Sequence, residues 1–229
     1  MKDRKSAGGE GTDGAEVEFS LIPHETLVAL YDGLVKAKER RGTAKSAGGR
    51  AQSWKFVAAA VAVGQDLLPG DTVIAERAVP ALRQAKLAAR GFAAELERAS
   101  GVALREKTRK TGKATVVFAA DTAGEAWRDV LEVARVHRLP MVFVTELREG
   151  NAAKNERELE PGTELPRIVV DGNDAVASYR VAHEAIERAR RDRGPTLMEC
   201  TTFRLKGRRV QDSVSMMKAY LRAKGMLTV

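Results

Sequence analysis

The residue best placed to meet a ligand is Asp121. It follows VVFAA (116–120), a continuous apolar run bounded by turn residues. Such a run suits a strand covered on both faces in a parallel sheet. The acidic turn after that strand is where an α/β protein places its ligand, beyond the carboxyl ends of the strands. The other use of an Asp just after a strand is to cap the next helix. Arg77, Arg208 and Arg209 could bind a phosphate or an acidic partner, or could form a surface cluster. The nucleophile and metal chemistries find little support. The three histidines (His24, His137 and His183) are scattered, and Cys200 is the single cysteine. That set offers neither a zinc site nor a nucleophilic dyad. His137 reads as a surface or helix-end histidine and Cys200 as a buried, inert thiol in an apolar strand. The Gly-rich TAKSAGGR (43–50) follows no strand and matches no spaced phosphate motif, so it reads as a linker.

Those residues need a scaffold, and 229 residues suffice for one large α/β domain. Hydrophobic residues make up 44% and charged residues 31%, as in a globular protein. No apolar run is long enough to cross a bilayer, and residues 1–20 lack the apolar core of a signal peptide. A single cysteine suits a reducing compartment, and the expected location is the cytoplasm. The formal charge of +8 is spread over KAKERR (36–41), REKTRK (105–110), RARRDR (188–193) and RLKGRR (204–209). None of these runs carries interleaved aromatics for base stacking, so nucleic acid is not the expected partner.

Along the chain, residues 1–20 are Gly-rich and charged and predict a disordered tail, with a single domain over 21–229. Leu27, Leu30, Tyr31, Leu34 and Val35 fall on one face of a first helix. Residues 52–66, apolar on nearly every side and rich in alanine, predict a buried helix. Thr72–Ala75 reads as a strand, 80–98 as a helix and 100–113 as a basic connector. Residues 114–147 form a strand–helix–strand unit whose helix carries Trp127, Val130, Leu131 and Ala134 at helical spacing. After a polar loop (148–165) come a strand at 167–171, a helix capped by Asn173 or Asp174, a strand at 196–205 and a final helix at 210–224. The fold class is α/β, a doubly wound, mostly parallel sheet flanked by helices.

Three segments, in order, carry a resemblance to a known family. They are AAAVAVGQDLLPGDTV (58–73), WRDVLEVARVHRLPMVFV (127–144) and VVDGNDAVASYRVAHEAIERARRDRGPTLMECTTFRLKG (169–207). Together they resemble the alpha subunit of the thiamine-diphosphate-dependent, decarboxylating dehydrogenase component of 2-oxo acid dehydrogenase complexes, of the pyruvate, branched-chain and acetoin types. The resemblance implies the thiamine-diphosphate-binding fold and oxidative decarboxylation of a 2-oxo acid. It also implies a homo-oligomer, or a hetero-oligomer with a beta-type subunit. The cofactors it implies are thiamine diphosphate and Mg²⁺, the metal held by a GDG motif after one strand and NN after the next.

By position in those motifs, Asp121 is the metal ligand, and Arg77, Asp121, Gly207 and Arg208 are the cofactor-binding residues. The chain departs from the pattern at the same place. The GDG turn reads Ala120-Asp121-Thr122, and a Cβ obstructs close approach of a phosphate to the backbone. The partner Asn is replaced by Leu147, which cannot ligate a metal, leaving Glu146 as the substitute oxygen ligand. The expectation is weak or absent cofactor binding. Two roles follow: an alpha-subunit-like enzyme component, or a non-catalytic structural or regulatory relative that keeps the fold and the subunit interface.

Overall fold

The computed structural model describes residues 22–46, 54–82, 85–88, 91–120, 124–147, 165–202 and 212–227. The tail expected over 1–20, residues 47–50 of the expected 43–50 linker and most of the 148–165 loop lie outside them; residues 43–46, expected in that linker, instead continue the first helix. Six helices and six strands make up the described part of the chain: α1 (His24–Ser46), α2 (Val57–Gln65), β1 (Thr72–Ala75), β2 (Lys86–Leu87), α3 (Phe92–Thr108), β3 (Thr115–Ala119), α4 (Glu125–Val136), β4 (Met141–Glu146), β5 (Arg167–Asp171), α5 (Ala175–Arg190), β6 (Thr196–Thr201) and α6 (Ser213–Ala223). The strands form one sheet in the order β2-β1-β3-β4-β6-β5. Every pairing is parallel.

The apolar runs explain why the sheet is central. Successive side chains of a strand point to opposite faces. On β3, Val116 and Phe118 join the core under α2 and α5, while Val117 and Ala119 join the core under α3 and α4. β4 divides in the same way, with Val142 and Val144 on one side and Met141 and Phe143 on the other. Both faces are covered, so apolar side chains dominate both, and the few buried polar groups, such as Thr115, Thr145 and Glu199, lie among them. Edge-on aromatic pairs anchor each side: Trp54 against Phe118 at 5.1 Å, and Trp127 against Phe143 at 5.3 Å between ring centroids.

A further helical layer lies outside α2. Leu27, Leu30 and Leu34 of α1 and Met217 and Leu221 of α6 close over Ala58, Val61 and Ala62. This is why α2 is apolar all round: it is buried between the sheet and α1, and its alanines let both neighbours approach. The α5 stripe (Ala175, Tyr179, Ala182, Ile186 and Ala189) is buried as its spacing predicts. Asp174 is its cap, accepting from the backbone N–H groups of Val176 and Ala177.

The structure corrects one stretch. The helix expected over 80–98 gives way to a turn and the short strand β2, and α3 runs instead from Phe92 through most of the expected connector. Gly91, with φ of 94°, turns the chain into α3 in a conformation other residues rarely adopt. The buried face of α3 is Leu96 with the small residues Ala99 and Ala103, a stripe that the neighbouring charges obscure in the sequence. The last strand is described only as far as Thr201 of the expected 196–205. No helix among the described residues is long and apolar enough to cross a membrane.

Candidate functional site

The sheet order creates a crevice. From β1 the chain moves outward to β2, then returns past β1 to β3 and continues in the opposite direction to β4. Beyond the carboxyl ends of β1 and β3 the connections diverge, which opens space for a ligand. The residues just past these ends are Glu76 and Arg77 after β1, Ala120 after β3, and Leu147 after Glu146, the last residue of β4.

Backbone pairing carries Glu76 to the rim, its N–H donating to the Phe118 carbonyl at 3.0 Å. Its carboxylate then crosses the crevice and accepts the Ala120 N–H at 2.7 Å. Arg77 is half-buried beside it, with Nη1 3.6 Å from Glu146 Oε2. The other oxygen of Glu146 accepts the Lys55 backbone N–H at 2.7 Å. The crevice is therefore occupied by two carboxylates and one guanidinium, and the carboxylates take up backbone donors on both sides.

Leu147 is a core residue, only 8% exposed, with its N–H donating to the Cys200 carbonyl at 2.8 Å. The side-chain position beyond β4 is thus apolar and its amide is already paired. Across β6, Asn173 donates through Nδ2 to Asp171 Oδ1 and to the Thr202 hydroxyl. Gly172 lies under the Phe56 ring, and Lys55 and Asn173 line a cleft of about 400 Å³ reaching Lys38 and Asp212.

Of the residues singled out in the sequence, Arg77 is brought to the crevice together with Glu146 and Leu147. Asp121, Gly207, Arg208 and Arg209 lie outside the described residues, Asp121 directly after the amide that Glu76 holds. His24 and His137 are exposed. His183 stands apart from the crevice, stacked on Tyr179 and 3.1 Å from Asp66 through Nδ1. Cys200 is fully buried, and burial pushes its thiol far above the ordinary range, so it is no nucleophile. Among the described residues no group of three or more His, Cys, Asp or Glu could hold a metal ion. Sequence reasoning missed Glu76 and Lys55. The available signal was a charged residue placed directly after the buried TVIA strand, where solvation alone does not account for it.

Comparison with known proteins adds ancestry to this geometry. The family model described as dehydrogenase E1 component matches residues 83–225. The acetoin:2,6-dichlorophenolindophenol oxidoreductase alpha subunit of Bacillus subtilis is 36% identical over 117 residues, 46% of this chain and 35% of that protein. A chloroplastic pyruvate dehydrogenase E1 alpha-3 subunit of Oryza sativa is 39% identical over 93 residues, 37% of this chain and 22% of its own length. The pyruvate dehydrogenase E1 alpha subunit of Acholeplasma laidlawii is 33% identical over 118 residues, 47% of this chain and 34% of that one. The chain thus spans about a third or less of the length of these curated relatives. With more than half of its residues inside the family model, the chain belongs to the dehydrogenase E1 component family, on the alpha-subunit side of the thiamine-diphosphate-dependent 2-oxo acid dehydrogenases.

Proposed function

We propose that this chain is an alpha-subunit-like member of that family in which binding of thiamine diphosphate and Mg²⁺ is weak or lost. Its role is then structural or regulatory, through the fold and a subunit interface. The observation that carries this is the carboxylate of Glu76 on the Ala120 amide. A diphosphate needs free N–H donors and positive charge at the strand ends. Here a fixed anion holds the amide after β3, and a second anion, Glu146, neutralises Arg77. The position after β4 that would complete a metal site is the buried Leu147. A hard cation requires oxygen donors, and an apolar side chain supplies none. The described residues of the crevice do not fit the cofactor.

Pairing with a beta-type subunit or with a second copy is part of the same reading. Val133 and Val136, one turn apart on α4, are both exposed and leave an apolar strip on that helix's outer face. The catalytic alternative rests on Arg77, which stands at the rim on a long 3.6 Å contact and could turn to an incoming anion.

Isothermal titration of the protein with thiamine diphosphate, with and without Mg²⁺, separates the two. The proposal expects no saturable heat that depends on Mg²⁺. Saturable micromolar binding that requires Mg²⁺ would restore the enzyme reading. Size-exclusion chromatography with light scattering, alone and with a beta-type subunit, tests the interface; a monomer under both conditions removes it.

A further inference from the structure

Two of the basic runs meet at the pole opposite the crevice. In a parallel sheet the helices return antiparallel to the strands, so α3, α4 and α5 all end at the sheet's amino-terminal edge. There Lys107, from one run, lies 2.5 Å from Asp192, in the other, and also donates to the Arg138 carbonyl at 3.1 Å. A cleft of about 600 Å³ opens between the turns that follow these three helices. Five lysines and arginines line it against two carboxylates, so its charge is positive.

The cations divide into two sets. Lys107 is spent on Asp192 and on the end of α4. Arg190 is spent on the Asp71 carboxylate at 2.6 Å and the Asp66 carbonyl at 2.7 Å. Three remain. Lys110 and Lys113 form no ion pair among the described residues, and Arg191 makes an exposed pair with Glu187 one turn back on its own helix. Both carboxylates of the cleft are already engaged. Asp192 has Lys107, and the Thr111 hydroxyl and the Arg105 guanidinium hold the Glu106 carboxyl below its ordinary range. Helix carboxyl ends disfavour anions, but here Lys107 and the left-handed turns at Lys110, Arg138 and Asp192 absorb those carbonyls. An apolar wall completes the cleft. Pro140 and Ala189 are buried in it, and Leu104, 48% exposed, adds accessible apolar surface.

We propose that this cleft binds an organic phosphate, a small molecule with two or more negative charges at one end and an apolar body at the other. Lys110, Lys113 and Arg191 take the charged end, and Leu104 and Pro140 take the body. The volume falls within the range of about 300–1,000 Å³ typical of small-ligand sites. Several like charges around low-dielectric walls concentrate anions there beyond what net charge alone achieves. The site lies at the opposite edge of the sheet from the crevice and does not depend on what the crevice binds.

The test is calorimetric titration of the whole chain with ADP, inorganic pyrophosphate and adenosine, all without Mg²⁺. ADP is expected to bind saturably at one site, pyrophosphate more weakly and adenosine not at all. The double variant Lys110→Asn/Lys113→Gln is expected to lose affinity for ADP by about tenfold or more. Asn accepts the left-handed backbone at position 110 (φ 51°), so the melting temperature should not change. Lys36→Gln/Lys218→Gln removes the same charge from exposed positions on α1 and α6 and should leave ADP affinity unchanged. Unsaturable heats with ADP would overturn the proposal. So would equal affinity for ADP and pyrophosphate, or equal losses in the two double variants.

Discussion

The backbone N–H of Ala120, just past β3, donates to the carboxylate of Glu76, just past β1, at 2.7 Å. This bond joins the two strand ends that flank the switch point, and it places a carboxylate at the mouth of the crevice. Glu76→Ala leaves a part-buried donor without its acceptor, and an orphaned donor of this kind costs about 1–3 kcal/mol. Glu76→Gln keeps an acceptor oxygen and should recover more than half of that. Urea denaturation of the three proteins checks both, and equal stabilities would deny the bond any structural weight.

Arg190 ties the end of α5 to the turn before β1. It meets Asp71, whose other bonds are to the N–H groups of Leu68 and Ala114. The Asp71 side chain is almost fully buried and that of Arg190 nearly so. Removing one member of such a pair strands the other charge, at about 3 kcal/mol or more. Arg190→Met should therefore destabilise strongly, and adding Asp71→Asn should recover part of the loss. Recovery is the informative outcome, because simple loss of packing by Arg190 would not be repaired by a change at Asp71.

Gly172 is tight for a different reason. A Cβ there would lie 2.5 Å from the ring of Phe56, which is fully buried. The backbone cannot retreat, because the Gly172 N–H is paired with the Thr201 carbonyl at 2.9 Å. Gly172→Ala should cost about 1–3 kcal/mol by overpacking. In the Phe56→Leu background the same change should cost less, and a double-mutant cycle in thermal unfolding measures the coupling. Strict additivity would show that the two residues do not press on each other.

Stability should fall in alkali, and Cys200 should be the main cause. Burial raises its thiol in the folded state, and the carboxylates of Glu146, Glu199 and Asp171 add to the effect. A raised folded value means that the fold favours the protonated thiol. That stability is complete below the unfolded thiol's value of about 8.5 and is lost as pH rises beyond it, by about 1.4 kcal/mol per pH unit. Tyr179, also raised by burial, adds to the loss only above about pH 10. Cys200→Ala should be less stable near neutrality because it leaves a cavity, yet lose stability less steeply above pH 8.5. Parallel slopes for the two proteins would reject this origin.

Much of the fold is legible in the sequence because it is written locally. Val116 to Ala119 and Met141 to Val144 are apolar at every position, and in runs this short and rich in Val and Phe that suits a strand covered on both faces. The α5 stripe is likewise visible at helical spacing. The stretch 80–108 is harder to read, because beyond Leu96 the buried face is marked only by the small Ala99 and Ala103 and because Gly91 moves the start of the helix. At the site, Arg77 was legible as a candidate and is found in the crevice. Its companions Glu76 and Lys55 were not, since each is significant only through a partner distant in sequence, Ala120 and Glu146.

The sequence by itself thus determined the α/β class, the order of most elements and the family. Only the tertiary structure decided which charges meet. The strand order β2-β1-β3-β4-β6-β5 sets Glu76 beside Ala120, Arg77 beside Glu146, and the basic turns after α3 and α5 around one cleft. Periodicity records which face of an element is buried. It carries no record of which element lies alongside, and electrostatic and hydrogen-bond energies depend on that distance.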